Sequence, residues 1–282
     1  MPSASPDTPL FSTTIEKIIN TLNVRESTRT RYLIELRDLK KCLVDDFITS
    51  KSIMDTVIRI QKYSPAKAAR IFKRLRSVVL FSGMPFPGNV KVIYKHQRGR
   101  VLTQDEVHQI LIKTKKEYPH YYPLLCILLD TGCRIGEALA LNWADYDGYS
   151  VSISKTYQEA NKGPKIHQTK TLAGTRRIVL SDALNSILSP LRGCNMAPMF
   201  PSKRGCRMRV VNLWNRWWKK VGMGYRIHDL RHTNATFLLS KLPARQVSAR
   251  LGHQHPGITH QLYDHYVLEN LPVQHTLLHK SA

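Results

Sequence analysis

Apolar positions recur at helical spacing along much of the chain. From Ser27 the segment STRTRYLIELRDLKKCLVDDF sets Tyr32, Leu36, Leu39 and Leu43 on one stripe with Arg and Lys between them, which predicts an amphipathic helix with a basic face. SPAKAARIFKRLRSVVLFSG predicts another, with Ser64 at the N-cap, Pro65 at the first helical position and Gly83 at the stop. Residues 12–85 therefore read as a small all-helical basic domain. Residues 1–11 before it are rich in Pro, Ser and Thr, have nothing to bury, and predict a flexible start.

The periodicity breaks over MPFPGNVKVIYKHQRGR, where prolines and glycines mixed with Lys and Arg mark a basic linker over residues 86–100, with a domain boundary near Gly99. A second domain, residues 101–267, opens with Thr103 and Glu106 spaced as a capping box ahead of Val107, Ile110 and Leu111. PLLCILLDTG predicts a buried helix ended by Gly132, and IGEALAL a helix directly after it. Between Tyr149 and Leu180 the short β-prone runs VSIS and RRIVL, separated by the turn material NKGPK and LAG, predict a small antiparallel sheet. Helical patterns then resume in DALNSIL, MRVVNLWNRWWKKV, HDLRHTNATFLLSKL, ARQVSARLG and THQLYDHYVLENL. The expected fold class is mainly α: a helical amino-terminal domain, then a mixed α+β domain with a small antiparallel sheet. A tail over residues 268–282 carries an apolar strip of Leu271, Val273, Leu277 and Leu278.

Charge narrows the function. Forty-three Lys and Arg against 20 Asp and Glu leave a formal net charge of +23. Residues 1–97 hold 17 basic and 8 acidic side chains and residues 98–282 hold 26 and 12, so the two parts carry +9 and +14. Blocks of like charge are absent, and the basic residues are interleaved with Tyr, Trp and Leu, as on a folded surface that faces a phosphate backbone. A membrane surface would share this attraction. However, no apolar window approaches the ~18 residues of a spanning helix, and the first residues lack a charged and then apolar leader pattern. Cys42, Cys126, Cys133, Cys194 and Cys206 are odd in number and include no C-x-x-C pair, which predicts reduced, mostly buried thiols in a soluble cytoplasmic protein.

Three clusters could carry chemistry. In TGCRIGEALAL, Arg134 follows a helix-ending glycine and Glu137 lies one turn on, a pairing suited to bidentate phosphate binding but equally that of an ordinary surface ion pair. In HDLRHT, His228 and Arg231 are spaced i, i+3, an imidazole beside a fixed cation, as proton transfer at a phosphate requires; two solvated helix residues share that spacing. In RLGHQHPGITHQLYDHY, His253 follows Gly252 and Tyr263 comes ten residues later. A phenol with its usual pKa of about 10 needs neighbouring cations and a base to attack phosphorus, whereas a tyrosine that packs needs neither.

In this order and at these separations, R-I-G-E, H-x-L-R-H and L-G-H followed by Tyr resemble the catalytic domain of the tyrosine recombinases of the phage integrase type, over roughly residues 100–268. The helical amino-terminal domain is similar to that family's core-site DNA-binding module only in size, basicity and position. The resemblance implies that Arg134 and Arg231 hold the scissile phosphate, that His228 and His253 contact it or exchange protons with it, and that Tyr263 is the nucleophile. It also implies a lysine on a β-hairpin, for which Lys170 in QTKTLAGTRR is the first candidate and Lys165 and Lys162 are weaker ones. Glu137 would support the first arginine from behind. Tyr266 lies three residues beyond Tyr263, which is favoured by its spacing from His253 and by the order Tyr-x-His with His265.

On that resemblance the chain would cut and rejoin double-stranded DNA through a 3′-phosphotyrosyl bond, without ATP, metal or other cofactor, as a homotetramer on paired sites. The apolar tail would then pass to a neighbouring protomer. Integration and excision of a mobile element is the expected role; replicon dimer resolution and DNA inversion use the same chemistry, and an accessory DNA-bending protein would fit any of them. Rival readings are a topoisomerase-like or telomere-resolving enzyme, a DNA-binding regulator without catalysis, and a metal-dependent nuclease, for which the histidines lack aligned carboxylates.

Overall fold

The computed structural model describes residues 8–24, 26–88, 90–92, 94, 99–160, 163–169 and 174–252. The chain divides into two units, Met1–Arg98 and Gly99–Ala282.

Within the first unit the described elements are four helices: α1 (Phe11–Thr21), α2 (Glu26–Lys40), α3 (Ser50–Ile60) and α4 (Pro65–Phe81). The fourth packs against the other three. Phe11, Ile15, Leu36, Leu39, Ile71 and Leu75 are among the side chains closing the core. One ion pair is buried with it: Arg74 Nε donates to Glu35 Oε2 at 2.7 Å, and its guanidinium lies 3.8 Å from the Tyr32 ring centroid. Two expectations need adjusting. The stripe from Tyr32 to Leu43 outlasts its helix, which stops at Lys40, because Asp45 accepts the Phe47 N–H and Asp46 accepts the Ser12 N–H at the start of α1. Ser64 stands at the N-cap of α4 without a side-chain cap bond; its carbonyl instead accepts the Ala68 N–H at 2.8 Å.

The second unit is built on α5 (Gln104–Glu117), α6 (Tyr122–Thr131) and α7 (Ile135–Ala140). The capping box forms: Thr103 N–H donates to Glu106 Oε2 at 2.8 Å, and Glu106 N–H to Thr103 Oγ1 at 3.2 Å. Leu124, Leu125, Ile127 and Leu128 make α6 buried nearly all round. That helix ends where Gly132 takes φ +62°, a conformation costly to any residue with a Cβ.

The strands form two separate two-stranded ladders rather than one sheet. β1 (Ser150–Ile153) pairs antiparallel with β4 (Arg176–Val179), with Val151 opposite Ile178. β2 (Lys155–Ala160) and β3 (Gly163–Gln168) form a hairpin with Gln158 opposite Lys165. α7 lies against this hairpin so closely that a Cβ on Gly136 would come within 2.8 Å of the Tyr157 carbonyl oxygen.

After α8 (Asp182–Leu188) comes a helical run of α9 (Val210–Leu213), a π-helical turn (Trp214–Trp218) and α10 (Lys219–Val221). The wide turn lets two successive tryptophans face inward. Trp217 donates to Thr114 Oγ1 at 3.2 Å and Trp218 to the Tyr225 carbonyl at 2.6 Å, so both indole N–H groups are satisfied in the core. α11 (Ile227–Leu239) and α12 (Ala244–Leu251) complete the described part, and Gly252 ends α12 with φ +70°. Among the described residues no helix is long and apolar enough to cross a membrane. Cys42, Cys126 and Cys133 are buried thiols, whereas Cys194 and Cys206 are exposed.

Candidate active site

Two helices of the second unit begin in the same way. At the start of α7, Glu137 accepts the backbone N–H of Arg134 at 2.9 Å and a guanidinium N–H of the same residue at 2.8 Å. At the start of α11, Asp229 accepts the N–H of Arg226 at 2.8 Å and its guanidinium at 2.9 Å. A carboxylate in the first helical turn is favoured by the dipole and satisfies an orphan donor, so each acid fixes both its helix start and an arginine. The Arg134 side chain remains 45% exposed above a carboxylate only 3% exposed, which turns the cation toward solvent on a rigid base.

Arg231 on α11 is held differently. Its Nη1 donates to the Gly132 carbonyl at 2.8 Å and its Nη2 to the Leu251 carbonyl at 2.9 Å. The left-handed turn before Arg134, the end of α12 and the side chain of α11 thus meet at one buried guanidinium. Asn234, one turn along α11, donates to the Leu129 carbonyl at 2.7 Å and keeps α11 seated on the end of α6. A Cβ on Gly132 would lie 2.4 Å from Asn234 Oδ1 and 2.6 Å from Leu251 Cδ2, so glycine is required there for space as well as for φ.

A third arginine, Arg176, completes the cluster from β4. Its Nη2 donates to Glu137 Oε2 at 2.8 Å, its Nε to the Arg250 carbonyl at 2.7 Å and its Nη1 to the Gly174 carbonyl at 3.0 Å. One carboxylate therefore faces three guanidinium groups. Burial opposes ionisation of Glu137, but the hydrogen bond and charge of Arg176, followed by those of Arg134, outweigh it and hold the acid below its usual range. Arg231 moves the other way: burial, then repulsion from Arg134, bring its pKa down to about 9 despite the attraction of Glu137. Among the described residues, Arg134, Arg176 and Arg231 are balanced by Glu137, which leaves a surplus of positive charge that an anion would relieve.

His228 enters the same field. Its ring meets that of His232 edge to face with centroids 4.9 Å apart. Burial, then the charges of His232, Arg231 and Arg134, lower its pKa to about 4, against a weaker pull from Asp229. The residue as a whole is exposed, but the neighbouring charges of Arg231 and Arg134 act in the same direction as burial, so the downward direction stands on both. At neutral pH His228 is a neutral imidazole able to accept a proton. His232 packs on the chain where it enters this unit, since a Cβ on Gly99 would fall 2.1 Å from the ring.

The structure thus brings together Arg134, Glu137, His228 and Arg231, residues the sequence had singled out. Lys165 lies on β3, opposite Gln158 and on the hairpin that packs against α7. Lys170, Lys162, His253, Tyr263 and Tyr266 fall outside the described residues. Arg176 was missed. It sits beside Arg177 in TRRIVL, and only strand register separates them: Arg177 turns outward to pair with Asp147, and Arg176 inward to Glu137. Among the described residues no group of His, Cys, Asp and Glu could hold a metal ion. A separate cleft of about 680 Å³, lined by Tyr121, Lys203, Arg204, Arg209 and Arg216 among others, contains none of the sequence-predicted site residues.

Comparison with known proteins adds an independent observation. The model of the phage integrase family matches residues 100–269. Transposase A from transposon Tn554 of Staphylococcus aureus is 26% identical over 189 residues, covering 62% of this chain and 51% of the transposase. A tyrosine recombinase XerC-like protein of Caldanaerobacter subterraneus is 26% identical over 176 residues, covering 51% of this chain and 45% of that protein. The chain thus spans about half the length of the curated relatives it matches. Among solved structures, the Tn1549 transposon integrase in complex with circular intermediate DNA shares the fold with a TM-score of 0.77 at 18% identity, covering 92% of this chain and 96% of that one. A lambda integrase dimer bound to a COC′ core site gives a TM-score of 0.69 at 18% identity, covering 95% of this chain and 81% of that one.

Proposed function

Since the chain belongs to the phage integrase family, we propose that it is a site-specific DNA recombinase that breaks and rejoins duplex DNA through a covalent bond to Tyr263. The observation that carries this reading is the cluster of Arg134, Arg176 and Arg231 around the carboxylate of Glu137, an electropositive site whose charge a phosphodiester would complete.

Arg134 and Arg231 take the non-bridging oxygens of the scissile phosphate and stabilise the charge that grows on them as the phosphorus becomes five-coordinate. The Tyr263 phenol attacks in line and the 5′ oxygen leaves, giving a 3′-phosphotyrosyl link and a free 5′-hydroxyl. His228, neutral at working pH, accepts the phenol proton, and His253 donates a further hydrogen bond to the phosphate. Lys170 protonates the leaving oxygen, with Lys165 and Lys162 as the alternatives for that role. Because the phosphoester is conserved in the protein link, attack by a new 5′-hydroxyl restores DNA without an energy source.

The basic cleft of Lys203, Arg204, Arg209 and Arg216 and the charge of +9 on residues 1–97 support contact with duplex DNA beyond the reacting phosphate. The Tn554 and Tn1549 relatives favour integration and excision of a mobile element, and a lambda integrase neighbour, solved as a tetramer bound to a Holliday junction, favours four protomers on two duplexes. The test is covalent trapping. The protein is incubated with a random-sequence duplex library and a chelator, denatured in detergent, and any DNA-linked peptide identified by mass spectrometry. An adduct on Tyr263, lost in Tyr263→Phe, is the expected result. DNA binding with no adduct on any tyrosine would overturn the reading and leave a DNA-binding protein.

A further inference from the structure

We propose that Arg176 is a positioning residue of this site: through three donors it sets the carboxylate that aims Arg134, the end of α12 that leads to His253, and the carbonyl four residues after Lys170. The inference rests on the recombinase reading and assigns a residue that the three sequence clusters do not include.

Geometry makes the case. Each of the three nitrogens of the Arg176 guanidinium donates a hydrogen bond, and the side chain is only 7% exposed. A residue needed merely to neutralise Glu137 would use one or two of them. Instead Nε reaches the Arg250 carbonyl, while the next carbonyl, that of Leu251, accepts from Arg231. The last two carbonyls before Gly252 are thus held by two different arginines, where the negative end of the α12 dipole favours cations. Through Nη2, Arg176 meets the same Oε2 that accepts the Arg134 N–H, so a shift of its guanidinium moves the base on which Arg134 stands. Through Nη1 it donates to the carbonyl of Gly174, four residues after Lys170 in sequence.

The groups facing Glu137 are Arg134 on its own helix, Arg176 from β4, Arg231 from α11 and Cys133 just before α7. With Arg176 removed, burial still disfavours the carboxylate while the hydrogen bond and charge of that guanidinium are gone, so the acid should protonate at higher pH. Lysine at 176 would keep the charge but not the planar fork that reaches three acceptors at once.

The experiment compares Arg176→Met and Arg176→Lys with wild type in three readouts: binding to random-sequence duplex DNA, the rate of covalent adduct formation across pH, and titration of Glu137 by carboxyl-carbon NMR. The expected result is near-unchanged DNA binding with adduct formation slowed about 10²-fold in Arg176→Met, as for a sub-ångström misalignment of a reacting group. Its acid limb and the Glu137 titration should both move up by about one pH unit or more. Arg176→Lys should recover the titration but only part of the rate. A folded Arg176→Met or Arg176→Lys that forms adduct at the wild-type rate would overturn the proposal, as would a profile of Arg176→Met lowered at every pH without moving. If Arg176→Met does not fold, Arg176→Lys decides. If wild type forms no adduct, the recombinase reading fails instead, and an unmoved Glu137 titration in Arg176→Met would separately sink the link between Arg176 and Glu137.

Discussion

Arg231 and Gly132 are joined by a 2.8 Å hydrogen bond from guanidinium to carbonyl across 99 positions of sequence. Because Gly132 is also the left-handed residue that ends α6, the bond fixes the second arginine of the site to the turn from which the first departs. Arg231 is thereby held to backbone carbonyls and Arg134 to the buried Glu137 carboxylate, so a phosphate would meet two cations already fixed in place.

Arg231→Lys should separate charge from shape. A single ammonium on a shorter reach cannot hold both the Gly132 and Leu251 carbonyls, so adduct formation should fall by roughly 10²- to 10³-fold, the usual cost of losing one stabilising donor at a transition state. Leaving one buried carbonyl without its donor should also cost about 1–3 kcal/mol of stability. Timed trapping on duplex DNA and urea unfolding measure the two effects. A variant with full activity would remove Arg231 from the phosphate site.

Gly132→Ala and Gly83→Ala form a matched pair. Both glycines have positive φ, but a Cβ at Gly83 meets nothing within 4 Å, whereas at Gly132 it strikes Asn234 and Leu251. The Gly83 change should cost about 1 kcal/mol from left-handed strain alone. The Gly132 change should cost about 1–3 kcal/mol more, since a well-packed neighbour must move. All four tryptophans lie in the second unit, so their fluorescence in urea reports Gly132→Ala, and far-UV dichroism reports Gly83→Ala. Equal losses would mean that the crowding at Gly132 relaxes freely.

What the sequence made legible was local. The Thr103 and Glu106 box, the stop at Gly132 and the start of α7 at Arg134 depend on residues within a turn of one another, and the motif spacing picked out Arg134, Glu137, His228 and Arg231. The hairpin of β2 and β3 was not legible, because KTYQEA and GPKIHQ are largely polar and lack β-branched runs; α7, packed on β2 through Gly136, supports them in place of propensity. Nor were the acceptors that hold Arg231, since carbonyl oxygens carry no residue-type signal. Arg176 could not be told from Arg177, as both are arginines and only the pairing of β4 with β1 decides which faces inward.

Binding to duplex DNA of any sequence should be steeply salt dependent. With a net charge of +23 distributed over both units, contacts to several phosphates are expected, and 6–10 of them would lower affinity by about 10³- to 10⁵-fold between 50 and 200 mM salt. Fluorescence anisotropy with a labelled random duplex gives the slope directly. Affinity that barely changes over this range would argue that DNA is not the polyanion the surface serves.

The pH dependence should follow His228. Its folded pKa of about 4 lies below the ordinary 6.5, so the protonated form is disfavoured in the native state. Stability from this group is complete above 6.5 and is lost as pH falls toward 4, and His228→Gln should flatten that part of the acid unfolding curve. In catalysis a phosphate seated between Arg134 and Arg231 adds negative charge near the ring and raises its pKa, but the base form should still prevail from about pH 6 to 8. Adduct formation should therefore be level across that range and decline in acid. His228→Gln should lower the plateau by about 10²- to 10⁴-fold and remove the part of the decline due to this group. A plateau unchanged by the substitution would show that another group accepts the phenol proton, and an acid limb that persists in full would assign the limb elsewhere, with Glu137 the next carboxylate to titrate in the cluster.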